Sequence, residues 1–597
     1  MPHWLELVTR RAVLWNRRRL YRRLQARMPR YETWIGQFDT IGADERSALL
    51  QRLRELPAQP SVTLLLQAGA APVERQQALV NSVREQLYPG WALLVVPGAG
   101  SEAAHWWSAQ ASSDARIRVL DRETDQGGLL RAVQSDWLAW ADANEQWPLH
   151  ALLLLVEAAL HRPDTVLVYG DEDRLDHGGR RSDPQFKPDW DPDLLLSHDF
   201  IGRPALWRAS WLRQHMAPPA DRNEASWRHD FVLRATHGVD AQGVLHVPQV
   251  LCHVHADAAT RQRASLAGVR AQLARSREAA SCEKQVDVDG VRVRFALPDP
   301  APTVAIVIPT RNGLRLLRNC VDSILLRTQY ANYRIVIVDN GSDDPGCVAW
   351  LREVAVREDR VVVRRDDSPF NFAALNNRAI AEVDSEFVAL VNNDIEVISP
   401  DWLTEMVTLA ARPGVGAVGA RLWYSDGSLQ HGGVVIGIGD GAGHAHKRLR
   451  RTDPGMMGRA HRLQSFSAVT AACLVLRRSV YQAVGGMDAD HFAVAFNDVD
   501  LCLRVRALGL RNLWTPFAEL YHHESVTRGV DHRPEKKARF LRERAVLQTR
   551  WPSVLAHDPA YNPNLTLANE NFALAMPPRV SLLKPWFEAR PDDHPTP

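Results

Sequence analysis

Three continuous apolar runs frame the chain. Val304-Ala305-Ile306-Val307-Ile308 is closed by Pro309-Thr310-Arg311-Asn312. Ile335-Val336-Ile337-Val338 ends on Asp339-Asn340-Gly341-Ser342, and Phe387-Val388-Ala389-Leu390-Val391 ends on Asn392-Asn393-Asp394. Short apolar runs rich in β-branched residues, without alternation, are the pattern of strands buried on both faces of a parallel sheet. Their polar ends then fall together at the carboxyl edge, where open α/β sheets bind ligands. Thr310, Asp339 and Asp394 are therefore candidates for one site.

The same pattern recurs upstream. It predicts a strand over 62–66, a helix over 73–87, a strand over 91–96, a helix over 152–161 and a strand over 165–169. A polar, Asp-rich stretch follows, Gly170-Asp171-Glu172-Asp173 and then Phe186-Lys187-Pro188-Asp189-Trp190-Asp191-Pro192-Asp193. Leu56-Pro57-Ala58-Gln59-Pro60 marks one boundary, and Pro298, Pro300 and Pro302 close a connector. The organisation expected is a basic amphipathic helical segment over 1–55, an α/β domain over 56–257, a helical and extended connector over 258–302, a second α/β domain over 303–550 and a tail over 551–597 that wraps or is partly mobile. The two domains read as a divergent repeat. Strand, helix and strand at 62–96 parallel 303–338; Ser135-Asp136-Trp137-Leu138-Ala139 parallels Ser385-Glu386-Phe387-Val388-Ala389; Leu233-Arg234 parallels Leu503-Arg504.

Composition changes this picture in one place. With 45% hydrophobic and 24% charged residues and a net charge of +2, the chain is an ordinary globular protein with no global call for nucleic acid. Its six cysteines show no CxxC pair, as reduced cytosolic thiols do. No apolar run reaches the roughly 18 residues of a membrane span, and the N-terminus lacks the apolar core of a signal peptide, so a cytoplasmic location is expected. The exception is the start. Arg10, Arg11, Arg17, Arg18, Arg19, Arg22, Arg23, Arg27 and Arg30 interleave with Trp4, Leu7, Leu14, Trp15 and Tyr21 at helical spacing. Residues 1–35 suit either peripheral contact with an anionic membrane face or a solvated helix packed on the next domain.

Several polar groups carry two readings each. Asn392-Asn393-Asp394 at a strand end suits a hard divalent cation bridging a diphosphate, or an Asn/Asp turn. Asp339 suits a nucleoside's hydrogen bonds, or again a turn. Asn371, Asn376 and Asn377 cap a helix or bind ligand. Asp498 and Asp500 begin a helix, where a carboxylate is favoured by the dipole alone or serves as general base. Farther on come His522, His523 and Arg528: a neutral imidazole can be a metal ligand, and an arginine can clamp a phosphate, though a His pair by itself is a weak signal. Gln430-His431-Gly432-Gly433 and His444-Ala445-His446 are acceptor contacts or plain loop.

Together the ordered pieces resemble an inverting family-2 glycosyltransferase of GT-A fold. They are Pro309 to Asn312, Val338 to Ser342, Asn376-Asn377, Asn392 to Asp394, Val484-Gly485-Gly486-Met487-Asp488, Asn497 to Asp500 and His523-Glu524-Ser525 to Arg528-Gly529. The branch resembled is that of two-domain enzymes building O-antigen, capsule or rhamnan-type bacterial polysaccharides. The resemblance implies α/β architecture with two tandem GT-A-like (Rossmann-like, mostly parallel sheet) domains, the first degenerate. It implies Thr310, Asn312, Asp339, Asn377 and Asn393 on the nucleotide sugar, Arg528 on its diphosphate, Asp394 and His523 on Mn2+ or Mg2+, and Asp498 as catalytic base. The donor implied is a nucleotide sugar, UDP- or dTDP-linked, and the acceptor a glycan or lipid-linked glycan at the cytoplasmic face of the inner membrane. Asn392 departs from the family's Asp-x-Asp, and one carboxylate fewer weakens metal affinity. A pyrophosphorylase would need a Gly-rich loop where Gly313 stands alone. A non-catalytic polysaccharide-binding or scaffold protein would not need Asp394, Asp498 and His523 together.

In the first domain, registering the repeat puts Pro97 at the place of Asp339, Asn144 at that of Asp394, Arg228 at that of Asp498 and His253 at that of His523. A domain that keeps the fold without the chemistry is expected. The Asp-rich stretches would then serve interdomain packing or acceptor binding.

Overall fold

The computed structural model describes residues 30–69, 71–98, 101–121, 126–216, 227–256, 264–523 and 534–589. The first sheet is built from β1 (Val62–Gln67), β2 (Trp91–Val96), β3 (Ile117–Val119), β4 (Trp137–Asp142), β5 (Glu145–Gln146), β6 (Leu167–Leu175), β7 (Arg181–Gln185), β8 (Ala205–Arg208) and β9 (Val244–His255). Its order is β3-β2-β1-β4-β8-β6-β9-β5, with β7 on the flank of β6. The helix Leu266–Ser276 and the antiparallel hairpin β10 (Ala280–Lys284) with β11 (Val291–Phe295) connect it to the second sheet.

The second sheet comprises β12 (Val304–Thr310), β13 (Tyr333–Asp339), β14 (Val361–Arg365), β15 (Phe387–Val391), β16 (Ile395–Val397), β17 (Val415–Trp423), β18 (Leu429–His431), β21 (Gln464–Phe466), β22 (Cys473–Arg477) and β23 (Arg511–His522); β19 (Val434–Ile436) and β20 (Ala442–His444) form a separate hairpin. Its order, β14-β13-β12-β15-β22-β17-β23-β16, with β18 on the flank of β17, repeats that of the first sheet, and β21 on β23 is the one added strand among the described residues. In each, four neighbouring strands are parallel and the other half is mixed.

The continuous apolar runs are continuous because each strand has two buried faces. Ile306, Ile308, Ile335, Ile337, Ala389 and Val391 pack with Leu317 and Val321 of the helix Leu314–Arg327 and with Met406 of Trp402–Ala411. The alternate residues, Val307, Val336, Val338, Val388 and Leu390, pack with Ala373 and Ile380 of Phe372–Ala381 and with Leu501 of Asn497–Ala507. Alternation of side chains along a strand divides one run between two cores.

Gly170-Asp171-Glu172-Asp173 corrects the polar-segment expectation. These residues are the middle of β6, and Asp171 and Asp173 are 0% exposed. Partners distant in sequence make this possible: His246 on Asp171 at 2.9 Å, Lys187 on Glu172 at 3.3 Å, Arg181 and His253 on Asp173 at 2.6 Å each. Buried charges persist only when so paired. Asp191 and Asp193 turn to the second domain. Asp193 holds Arg412 at 2.6 Å and Arg511 at 2.8 Å, and Asp191 accepts from the Ser465 N–H at 2.7 Å. This stretch is interdomain packing.

The tail wraps. Asn562 donates to Asp171 and to the Lys187 carbonyl at 2.8 and 2.9 Å, and Asn564 donates to the Pro248 carbonyl at 2.9 Å. Just before them, Asp558 accepts from Ile436 N–H and Ser467 Oγ of the second domain at 2.6 and 2.7 Å. Trp34, from the helix Tyr31–Phe38, lies 2% exposed in the same core as Tyr561 and Leu565 and donates to the Ala575 carbonyl. The arginine-rich residues 1–29 lie outside the described residues. Among the described residues no helix is long and apolar enough to cross a membrane.

Candidate active site

The strand ends meet as the pattern requires. Thr310 and Asp339 are paired across β12 and β13. Thr310 is 5% exposed, and its hydroxyl accepts from Asn393 Nδ2 at 2.9 Å, which joins the end of β12 to the segment after β15. Asn312, at φ 54°, stitches the neighbouring loop. Its side-chain Oδ1 accepts from the N–H groups of Asp343 and Asp344 at 3.0 and 2.9 Å, and its backbone N–H donates to Ser342 Oγ at 2.7 Å. Asp339 accepts from the Ser342 N–H at 2.9 Å on one oxygen and from Arg365 at 2.8 Å on the other. Asp339 in turn raises the Arg365 pKa by that hydrogen bond. Arg365 was not singled out in the sequence, where it is one of many arginines after a short strand.

The second half of the site hangs on one dipeptide ahead of β22. Ala471 N–H donates to Asp498 Oδ2 at 3.0 Å, while the Ala472 carbonyl accepts from Asn392 N–H at 3.0 Å. Asp498 and the Asn392-Asn393-Asp394 turn are thus held on adjacent residues of the same backbone. Burial pushes the Asp498 carboxyl above the ordinary carboxylate range, and the donors Ala471, Thr470 and Val499 only partly offset this. Phe496, at φ 59°, turns the chain into the helix that presents it.

Asp394 is 7% exposed, and the histidine beside it is not the one expected. His522 Nε2 lies 3.1 Å from Asp394 Oδ1, whereas His523 gives Asp394 only its backbone N–H, at 2.9 Å to the carbonyl. The His523 ring is committed elsewhere, to Glu396 at 3.0 Å and Ser425 at 2.8 Å. Burial pushes the Glu396 pKa up, but hydrogen bonds from Asn319 and His523 bring it below the usual value. The reason is alternation: neighbouring residues at the end of β23 face opposite ways. His522 Nδ1 lies 2.8 Å from Gln430 Oε1, and Asn392 Nδ2 lies 3.3 Å from His522 Nε2. With Nδ1–H on Gln430, the lone pair of Nε2 faces a carboxylate oxygen, an arrangement that suits a cation between them. Among the described residues no three His, Cys, Asp or Glu side chains form a metal cluster. The donor set is therefore one carboxylate and one imidazole, which fits a cation that takes its other ligands from diphosphate and water.

Asn377 does not join the cluster. Its oxygen accepts from Tyr481 Oη at 2.5 Å and Met487 N–H at 2.9 Å, and its Nδ2 donates to the Met487 carbonyl at 2.7 Å, so the amide clamps the Gly485-Gly486 turn. Arg528 lies outside the described residues.

The equivalent positions of the first domain can be read from the ladders. The bond from His523 N–H to the Asp394 carbonyl recurs as His255 N–H to Asn144, both at 2.9 Å. Asn144 therefore stands at the place of Asp394, and His255, rather than His253, at that of His523. The matching β4–β8 and β15–β22 registers equate Gly202 with Ala471. Arg228 donates to the Gly202 carbonyl at 3.5 Å where Asp498 accepts from Ala471, so a cation has replaced the carboxylate. Arg203 closes the position further, pairing with the buried Glu145 and with Asp142.

Residues 305–485 match the model of Glycosyl transferase family 2. The chain is 39% identical over 560 residues, 89% of its length, to the uncharacterized protein y4gI of Sinorhizobium fredii. It is 34% identical over 563 residues, again 89% of its length, to the O-antigen biosynthesis protein RfbC of Myxococcus xanthus. It spans 61% and 42% of the lengths of these two relatives. Over 223 residues, 33% of this chain and 68% of the relative, it is 25% identical to an N-acetylglucosaminyl-diphospho-decaprenol L-rhamnosyltransferase of Mycobacterium tuberculosis.

Proposed function

We propose, since residues 305–485 belong to glycosyltransferase family 2, that the chain transfers a sugar from a UDP- or dTDP-sugar to a hydroxyl of a growing, lipid-linked bacterial surface polysaccharide. The observation that carries this reading is the Ala471-Ala472 dipeptide, which fixes Asp498 and the Asp394 turn on adjacent backbone groups. Asp498 takes the proton of the acceptor hydroxyl. The freed oxygen attacks the anomeric carbon, and the bond from that carbon to the diphosphate breaks on the opposite side, so configuration inverts in one displacement. A carboxylate held above its usual pKa is the better base for this step. Thr310, Asn312 and Asn393, linked by hydrogen bonds, and Asp339, with Arg365 moving aside, receive the nucleoside. Asp394 and His522 would hold Mn2+ or Mg2+, which supplies charge neutralisation for the departing diphosphate; Arg528 would add to it. His523 and Asn377 hold the surrounding backbone.

The first domain is non-catalytic in this reading, because Pro97, Asn144 and Arg228 stand where the second has Asp339, Asp394 and Asp498. The arginine-rich residues 1–30, ahead of the packed helix Tyr31–Phe38, hold the enzyme peripherally at the cytoplasmic face of the membrane. The test is a panel of UDP-, dTDP- and GDP-sugars assayed for nucleotide release with and without Mn2+ or Mg2+, in wild type and Asp394→Ala. Release from one donor class, stimulated by metal and lost in the variant with folding intact, is expected. Equal release by both proteins overturns the role of Asp394, and release by neither overturns the enzymatic reading.

A further inference from the structure

The helix Pro534–Arg550 is anchored by its second half and open on its first. Glu543, 3% exposed, accepts from the N–H groups of Val494 and Ala495 at 3.2 and 2.8 Å. Leu547 is 0% exposed, and Arg550 pairs with Asp488 and Asp500 at 2.9 Å each. Toward the other end Phe540 and Leu541 remain 43% and 42% exposed. Helical spacing sets cations around them. Lys536, Phe540 and Arg544 recur every four residues, and Lys537 and Leu541 do the same on the adjoining row. Lys537 and Arg544 have no hydrogen bond or ion pair among the described residues. This flank packs on the turn that leads into the helix carrying Asp498. The Phe540 ring is 5.3 Å from that of Phe496, two residues before Asp498, and Gln548 donates to the Asp440 carbonyl at 2.8 Å on the loop that flanks Phe496.

We infer that the Lys536–Lys537–Phe540–Leu541–Arg544 flank of this helix docks on an anionic phospholipid surface and so presents Asp498 to an acceptor that stays in the bilayer. The inference rests on the lipid-linked acceptor proposed above and extends it to a second contact, separate from residues 1–30. Charge and apolar groups decide the occupant together. An anionic interface offers headgroups to Lys537 and Arg544 and, a few ångströms deeper, acyl chains to Phe540 and Leu541. A polyanionic glycan or an acidic peptide would meet the cations and leave both apolar side chains in water.

The test is sedimentation of the full chain with phosphatidylglycerol vesicles and with phosphatidylcholine vesicles. Phe540→Ser with Leu541→Ser, and separately Lys536→Glu with Lys537→Glu, are compared with wild type. Each is also made with Arg17, Arg18, Arg19, Arg22 and Arg23 changed to Gln, so that residues 1–30 do not mask the effect. Each pair is expected to lower partition onto phosphatidylglycerol at least about tenfold in the Arg→Gln background, with acceptor-free nucleotide release unchanged. The charge pair keeps the test valid should the apolar pair fold poorly. Partition within twofold of the parent protein in the Arg→Gln background overturns the inference, as does equal binding to both vesicle types or binding to polyglutamate in preference to vesicles. Wild type that sediments as expected but releases nucleotide from no donor would instead remove the glycosyltransferase reading and leave the docking surface standing.

Discussion

The assignment of the metal position to His522 rather than His523 gives a sharp prediction, because the two are neighbours of identical chemistry. His522 faces Asp394 at 3.1 Å, and its other nitrogen is held by Gln430 at 2.8 Å; both His523 nitrogens are engaged by Glu396 and Ser425. Three variants separate these roles: His522→Ala, Gln430→Leu and His523→Ala. Gln430 only orients its imidazole, and loss of such a supporting partner typically costs about 10–100-fold in metal affinity, or about 1.4–2.7 kcal/mol. His522→Ala removes one of the two proposed protein ligands and belongs at the upper end of that range or beyond. His523→Ala breaks half-buried hydrogen bonds worth about 1 kcal/mol of stability and leaves metal affinity within about threefold. The assay is calorimetric titration of Mn2+ into protein saturated with the nucleotide of its donor, with thermal melting alongside. If His523→Ala weakens metal binding more than His522→Ala, the assignment is wrong. If Gln430→Leu is silent, the tautomer argument fails.

Asp498→Asn abolishes turnover while donor affinity is retained, since a general base acts on the acceptor; turnover within about threefold of wild type would move the role elsewhere. Because burial raises the Asp498 carboxyl, the acid limb of turnover in wild type should fall above the ordinary Asp value of about 3.9, with activity lost as pH drops and the base takes up its proton; a limb at or below that value contradicts the burial argument. Asp142→Asn with Asp230→Asn, the carboxylates two residues from the Asn144 and Arg228 positions of the first domain, should leave transfer near normal, and a collapse to the level of Asp394→Ala would mean a second active site. Asp193→Ala removes the buried carboxylate that Arg412 and Arg511 share at the domain interface; Arg412 keeps Glu278 at 2.9 Å, and Arg511 is 34% exposed. About 1–3 kcal/mol of lost stability is expected, below the cost of an uncompensated buried charge because one arginine retains a partner and the other reaches solvent; an unchanged melting curve would show that the triad is not what joins the domains.

The sheet was legible because its strands are continuous apolar runs, and the convergence of Thr310, Asp339 and the Asp394 turn follows from strands that end at one edge. What escaped the sequence depends on partners and phase. Gly170 to Asp173 read only as a polar, Asp-rich segment because nothing adjoining them shows that His246, Lys187 and Arg181 will surround them. The choice between His522 and His523 depends on how β23 pairs with β16, where Ile395 lies opposite His522. Asn377 fits a binding motif by position, yet its amide is consumed by Tyr481 and Met487. The slip from His255 to His253 has a simple origin: the first domain carries two more residues between Arg228 and His255 than the second has between Asp498 and His523, so an alignment anchored on the helix drifts by the time it reaches the strand.

The tail also orders events in time. Asp171 is buried in the sheet that emerges first from the ribosome, yet one of its oxygens is satisfied by Asn562, 391 positions later. At roughly 5–20 residues per second, that is on the order of 20–80 seconds during which the first domain holds an open seam along Asp171, Lys187 and Pro248. Folding of this half is therefore provisional until the second half has been made and the strand of chain around Asp558 to Asn564 has threaded between them. A nascent chain stalled before residue 551 would carry both sheets and still be unfinished, a natural substrate for chaperone capture rather than an enzyme waiting for its last ornament.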